Sequence, residues 1–298
     1  MGQPMAANLA REGFAVQSFD LRGNGNCKSI REAARGAEAL ITMLPDGDAV
    51  REAVLEALPA LSRGCVVVDM SSSDPFGTRA LGAALAAKNV LFVDAPVSGA
   101  VVGARSATLA IMAGGEKSAF RKVLPVLQAL GKSIFHVGPL GAGHAVKALN
   151  NYLGAAGTLA GFEALLIARA FELDPKPMLE AINASTGRNS TTERKIARDV
   201  LTGAYASGFR LALMTKDVAI AAQLARGLGL DTPFLRETLR MWREAQKRLP
   251  RDADHSEIYK YQSQLSKQRS AGARKKAAPS RDAALPRARP RRRQRRST

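Results

Sequence analysis

A doubly wound α/β parallel sheet followed by an all-helical domain is the fold class this chain predicts, and three observations predict it. Over residues 1–139, short apolar runs rich in Val, Ile and Leu alternate with segments of helical periodicity, the pattern of strands linked by crossover helices. After Gly138 no strand pattern returns, and the remaining apolar residues recur at helical spacing. At 298 residues the chain is long enough for about two domains with separate cores. Its 46% hydrophobic content supports globular packing, and with 5% aromatic residues that packing is built from Ala, Leu and Val.

From the start, Gly2 to Arg11 reads as a helix ended by Gly13, and Phe14 to Phe19 as a strand closed by Asp20. Ser29 to Gly36 is helical, Ala39 to Leu44 a buried strand, Ala49 to Leu61 helical, and Cys65 to Asp69 another buried strand. Helix Thr78 to Lys88, strand Val90 to Asp94, strand Thr108 to Met112, helix Lys117 to Leu130 and strand Ile134 to Val137 complete the alternation. Five helices follow: Ala145 to Phe171, Pro175 to Ala184 with its Asp174-Pro175 start, Thr191 to Leu201, Leu211 to Leu228 and Pro233 to Arg248. A helix and then a strand ending in an acidic residue about 20 positions after a glycine is the later part of a dinucleotide-binding βαβ unit. Asp20 favours NAD, because a carboxylate repels the 2′-phosphate of NADP, while Arg22 leaves NADP open.

The net charge of +18 resembles a nucleic-acid-binding signature until it is divided along the chain. Leu265 to Thr298 holds thirteen Lys and Arg against a single acidic residue, Asp282, which is two thirds of the excess. With no hydrophobic periodicity and no interleaved aromatics, residues 264–298 are expected to form a disordered basic tail. Cys27 and Cys65 are isolated and lack metal-ligand spacing, and no leader pattern is evident, so a cytoplasmic setting is expected. The longest apolar helix, Tyr152 to Phe171, is interrupted by Glu163 and Arg169, which points to a core helix and away from a membrane span.

The segment Gly141 to Asn151 is the most informative in the chain. Two glycines open a helix on which Asn150 and Asn151 stand three and four positions after Lys147, so the three side chains share one side. A lysine set among Ala145, Val146, Ala148 and Leu149 is open to desolvation, which lowers its pKa toward the range of a working proton donor. His136, His144 and His255 show no partner pattern that argues for catalysis or metal binding.

With these residues in view, the chain resembles the β-hydroxyacid dehydrogenases, which include 3-hydroxyisobutyrate dehydrogenase and tartronate semialdehyde reductase. The fragments that carry the resemblance are Met1 to Ala6, Met43-Leu44-Pro45, Asp69-Met70-Ser71-Ser72, Asp94 to Gly99, Gly141 to Asn151, and Lys216-Asp217, in family order. The resemblance implies an NAD(P)-dependent oxidoreductase acting on a short β-hydroxy acid or its semialdehyde. It implies Lys147 as proton donor and acceptor, Ser98, Gly99 and Asn151 as substrate contacts, and Gly2, Asp20, Leu44, Pro45, Ser72 and Lys216 at the cofactor. It also implies a homo-oligomer formed through the helical domain, residues 140–263, where Gly154, Ala155, Gly157, Ala160, Gly161 and Ala164 permit close helix approach.

The chain departs from the family pattern at three places. Family members begin with a strand and a G-x-G-x-x-G turn, whereas Gly2 resembles the last glycine of that turn, so a Rossmann-like sheet truncated at its first strand, with unpaired edges, is expected. Leu21 to Lys28 is too short for the usual next helix and strand. Ala100 and Ala107 stand where glycine is expected, which narrows the carboxylate loop. The alternative function is a non-enzymatic homologue whose basic tail binds nucleic acid.

Overall fold

The computed structural model describes residues 1–277, with side chains through Lys267. Helices α1 (Gly2–Arg11) and α2 (Ile30–Ala34) lead into strand β1 (Ala39–Thr42), then α3 (Gly47–Ala57), β2 (Val66–Asp69), α4 (Pro75–Ala86) and β3 (Leu91–Asp94). The short strand β4 (Val97–Ser98), helix α5 (Ala100–Arg105), β5 (Leu109–Gly114), α6 (Lys117–Gln128) and β6 (Gly131–Gly138) complete the α/β part. Side-chain caps start three of these helices where the sequence has Ser or Asp: Ser29 on α2, Asp46 on α3 and Asp74 on α4.

Strands β1, β2 and β3 are parallel neighbours, and Val66, Val67 and Val68 are buried on both faces, as a strand between two helical layers requires. The sheet then changes sense: β5 runs antiparallel to β3 and β4, and parallel to β6. The parallel sheet read from the sequence is present in β1–β3 and in β5 with β6, and the antiparallel pairs of β5 with β3 and β4 are the exceptions. Only ten residues, 99–108 with the short α5 among them, join β4 to β5, fewer than the dozen or more that a parallel crossover needs.

Phe14 to Phe19 belongs to no strand among the described residues, which corrects the expected second element. A strand is stable only within a ladder, and among the described residues β1 ends the sheet on that side. Phe14 and Val16 still pack against the core of Met5, Leu9, Val66 and Val68. Leu21 to Ser29 holds only turns and bends, as its length predicts.

The helical part starts with α7 (Ala142–Ala170), followed by α8 (Pro175–Asn183), a π-wound segment (Thr191–Val200), α9 (Leu211–Gly227), α10 (Pro233–Arg248) and α11 (Ile258–Ala277). Its core gathers Ala155, Phe162, Ile196, Val218, Trp242 and Ile258, all fully buried. By length and composition α7 is apolar enough to cross a membrane, yet it is the strut of this core, with Asn151, Thr158 and Phe162 buried against neighbouring helices. Regular structure continues to Ala277, so the tail expected from residue 264 is helical at its start, where Tyr259, Tyr261 and Leu265 anchor α11 on the core. Residues 278–298, with most of the basic tail, lie outside the described residues.

Candidate active site

Three parallel strands end in polar residues that the register places side by side: Thr42 opposite Asp69, and Asp69 opposite Asp94. The Thr42 hydroxyl donates to Asp69 Oδ1 at 2.9 Å, as does the Ser71 N–H, and the Ser73 hydroxyl donates to Oδ2 at 2.7 Å. The Asp94 carboxylate accepts the N–H groups of Gly141 and His144, each at 2.8 Å, and so caps the first turn of α7. Both aspartates are buried, and these charge-assisted hydrogen bonds replace the water they lose.

The cap brings α7 hard against the sheet. A Cβ on Gly143 would overlap the carbonyl oxygen of Met112 and crowd Asp94, so only glycine allows the helix this close. Three residues after His144, Lys147 enters a narrow crevice that it lines with Ser72, Ser73, His144, Ala148, Asp217 and Ile220. Burial pushes the Lys147 amine below its ordinary pKa, the Asp217 carboxylate pulls it back up, and the neighbouring charge of Lys216 lowers it further.

Asp217 and Lys216 come from α9. Asn151 donates from Nδ2 to Asp217 Oδ2, while its own Oδ1 accepts Asn150 Nδ2 at 3.1 Å. Lys216 Nζ reaches across the domain junction to the carbonyl oxygens of Pro45 at 3.0 Å and Ser72 at 2.8 Å. The same ammonium lies 3.3 Å from Asp217 Oδ1, which makes no hydrogen bond of its own. The loops after β1 and β2 are thus tied to the helical part by one cation.

The structure therefore unites Lys147, Asn151, Lys216, Pro45 and Ser72, with Leu44 held beside them by its N–H to the Ser71 hydroxyl at 2.9 Å. Ser98 and Gly99 stand on β4 and the turn that follows it, where Ser98 pairs with Ala110 and Gly99 is left-handed at φ +133°. Ala100 and Ala107, at the two ends of α5, also have left-handed backbones, at φ +53° and +54°. Asp20 is exposed and engaged in its own turn, accepting the Arg22 N–H at 2.7 Å. Sequence reasoning missed His144, Asp69 and Thr78, and gave Asp217 no role; the run Lys216-Asp217 was the one available signal.

The carboxyl edge of the sheet suits a dinucleotide. No side chain caps the N-terminus of α1, and Gly2 there stands beside Met43, its Cβ position 3.9 Å from that side chain, so free N–H groups face the end of β1. Leu44 and Pro45 lie on the loop that leaves β1, and Ser72 on the one that leaves β2, at the carboxyl edge of the parallel strands.

Fold and site together define a two-domain, dinucleotide-dependent oxidoreductase. Residues 1–138 match the family described as the NAD binding domain of 6-phosphogluconate dehydrogenase, and residues 141–262 the one described as NAD-binding of NADP-dependent 3-hydroxyisobutyrate dehydrogenase. The chain is 37% identical over 248 residues to the 2-(hydroxymethyl)glutarate dehydrogenase of Eubacterium barkeri, covering 78% of this chain and 82% of that one. It is 32% identical to an NAD-dependent L-serine dehydrogenase of Pseudomonas aeruginosa, covering 87% and 94%. A structure of Mycobacterium tuberculosis 3-hydroxyisobutyrate dehydrogenase with L-serine superposes with a TM-score of 0.82 at 30% identity, covering 88% of this chain and 95% of that one. The chain belongs to the β-hydroxyacid dehydrogenase family, and it is an NAD(P)-dependent oxidoreductase of hydroxy acids. The alternative of a non-enzymatic, nucleic-acid-binding homologue finds no support among these relatives.

Proposed function

We propose that the chain interconverts a short β-hydroxy acid and its semialdehyde, with NAD as the favoured dinucleotide and Lys147 as the group that takes and returns the hydroxyl proton. The observation that carries this reading is the Lys147 amine, desolvated at the domain junction with Asp217 beside it. The bound nicotinamide supplies the hydride acceptor in one direction and the donor in the other. In oxidation, neutral Lys147 accepts the hydroxyl proton as the C–O bond becomes a carbonyl. In reduction, its ammonium stabilises the charge growing on the carbonyl oxygen and then protonates it. Asn151, fixed by Asp217, retains a second amide hydrogen to orient the substrate. Ser98 and the Gly99 turn offer a hydroxyl and backbone N–H groups to the substrate carboxylate. Gly2 at the α1 terminus serves the pyrophosphate, Asp20 the adenosine ribose, and Leu44, Pro45, Ser72 and Lys216 the nicotinamide half.

Residues 1–139 act in this reading as the dinucleotide-binding domain and residues 140–263 as the domain for substrate and self-association. Support for the second role lies on α7, where exposed Val146, Leu149, Leu153, Ile167 and Phe171 form an apolar stripe spaced by Gly157, Ala160 and Ala164. A second copy of the chain fits that stripe. Free Cys27 and Cys65 agree with a reducing, cytoplasmic setting.

The test is calorimetric titration with NADH and, separately, NADPH, followed by turnover assays on 3-hydroxyisobutyrate, 2-(hydroxymethyl)glutarate and L-serine. Saturable binding with tighter NADH, and turnover of at least one acid, is the expected result. Cofactor binding without turnover of any of them overturns the substrate class, and tighter NADPH overturns the role given to Asp20.

A further inference from the structure

We propose that His144 is the positioning residue for Lys147, an inference that rests on the reading of Lys147 as the proton-transfer group. His144 lies on the first turn of α7 with its side chain fully enclosed. Three elements converge on its ring. From α4, the Thr78 hydroxyl stands 2.8 Å from Nδ1. From the end of β2, Asp69 Oδ2 stands 3.5 Å from Nε2, and from the end of β3, Asp94 Oδ2 stands 3.7 Å from Nδ1. The backbone N–H of the same residue is held by Asp94 at 2.8 Å.

These contacts have a direction. Thr78 donates its hydroxyl hydrogen to the Asp74 carbonyl at 3.0 Å, so its oxygen is left to accept, and the His144 Nδ1–H is the donor. That bond turns Nε2 toward Asp69 and the crevice, where it makes no hydrogen bond among the described residues. The backbone of the first turn is therefore tied to β3 while its side chain is tied to α4 and faces β2. Lys147 follows three residues later, about one helical turn along the same face. Rotation or sliding of α7 relative to the sheet breaks the His144 contacts before it displaces the amine. Asp94 alone fixes where the helix begins; His144 adds the rotation about the helix axis, on which the aim of Lys147 depends.

The experiment compares the full chain with H144L, H144N, T78V and T78S. Two measurements are made: steady-state kinetics with NAD and the hydroxy acid that turns over, and the pH profile of reductive methylation of Lys147, read by peptide mass spectrometry. For H144L and T78V the expected result is a fall in kcat of about 10- to 100-fold with KM little changed, since a misplacement near 1 Å has that effect. The Lys147 labelling midpoint is expected to move up toward that of an ordinary lysine as water reaches the amine. T78S keeps the hydroxyl and H144N keeps a donor near the Nδ1 position, so both are expected to recover most of the rate and the wild-type profile. If H144L and T78V lower only the thermal midpoint, with kcat and the labelling profile unchanged, His144 is a structural tie and the proposal falls. If H144L does not fold, the nearly isosteric T78V decides. Absence of turnover by the wild-type chain defeats the function proposed above, while the labelling profile still decides the role of His144.

Discussion

Lys147 and Lys195 are both largely withdrawn from water, yet only Lys147 lies where the α/β and helical parts of the chain meet. Lys195 projects from the π-wound segment and donates to Thr158 Oγ1 on α7 at 2.9 Å and to Thr191 Oγ1 at 3.4 Å. Burial is the main cause that brings its pKa down to about 8, reinforced by Arg194 and opposed by Asp199. Nearby His255 is pushed down to about 4, again chiefly by burial, with the Lys195 charge second. On α7, eleven residues before Thr158, Lys147 is also lowered by burial, but it lines a narrow crevice shared by both parts of the molecule, with Asp217 opposing the shift. A lowered pKa marks a poorly solvated amine; its position in the fold decides whether that amine serves chemistry.

The sharpest way to break this comparison is to remove each amine in turn. Lys147→Ala is expected to reduce kcat by about 10²- to 10⁴-fold, the usual contribution of a general acid–base, with the circular dichroism spectrum and melting temperature preserved. Lys195→Met is expected to leave kcat within about twofold of wild type. An equal loss from both variants would erase the distinction.

Asp217 sharpens the comparison from the other side. Asp217→Asn removes the charge that holds the Lys147 pKa up, so its proton leaves more readily and the rising limb of the oxidation rate against pH moves to lower pH. An unchanged limb in stopped-flow or steady-state pH profiles would show that Lys147 does not titrate in that step.

The third effect is on stability. Lys195 has a folded pKa near 8 and an unfolded one near 10.4, so between these values the unfolded chain holds a proton that the folded chain does not. Stability from this group therefore rises with pH across that window, by at most about 1.4 kcal/mol per pH unit, and is lowest below pH 8. Urea unfolding at pH 7.5 and 9.5 checks this, and Lys195→Met is expected to flatten the slope.

The smallest change concerns the loop after Ser98. Ala100 holds φ +53°, a conformation that costs a residue with a Cβ about 1 kcal/mol. Ala100→Gly is expected to raise stability by up to about 1 kcal/mol in thermal unfolding. A loss would show that the methyl group makes contacts outweighing the strain.

Much of this architecture was legible because local chemistry writes it. Asp174 starts its helix by accepting a first-turn N–H, as read from the sequence, whereas the caps Asp46 and Asp74 start theirs two and three residues before the Ala49 and Thr78 expected. The buried run Val66 to Val68 reads as an interior strand for the same local reason. Lys147 and Asn151 were legible as neighbours because a helix sets their spacing. His144 was not: its partners Asp69, Thr78 and Asp94 lie 50 to 75 positions earlier, and no local pattern couples them. The π winding of Thr191–Val200 escaped for a related reason, because its apolar periodicity reads as an ordinary helix.

The sequence by itself determined the alternation of most strands and helices up to Gly138, the helices that follow, and the lysine and asparagine that share one helical face, because each follows from periodicity over a few residues. Tertiary structure alone decided that β5 turns antiparallel, that Phe14 to Phe19 joins no strand ladder, that Asp69 and Asp94 meet His144, and that Asp217 comes to Lys147. Those outcomes depend on which strand edges find partners and on which buried charges meet, and both are settled only when segments far apart in the chain pack together.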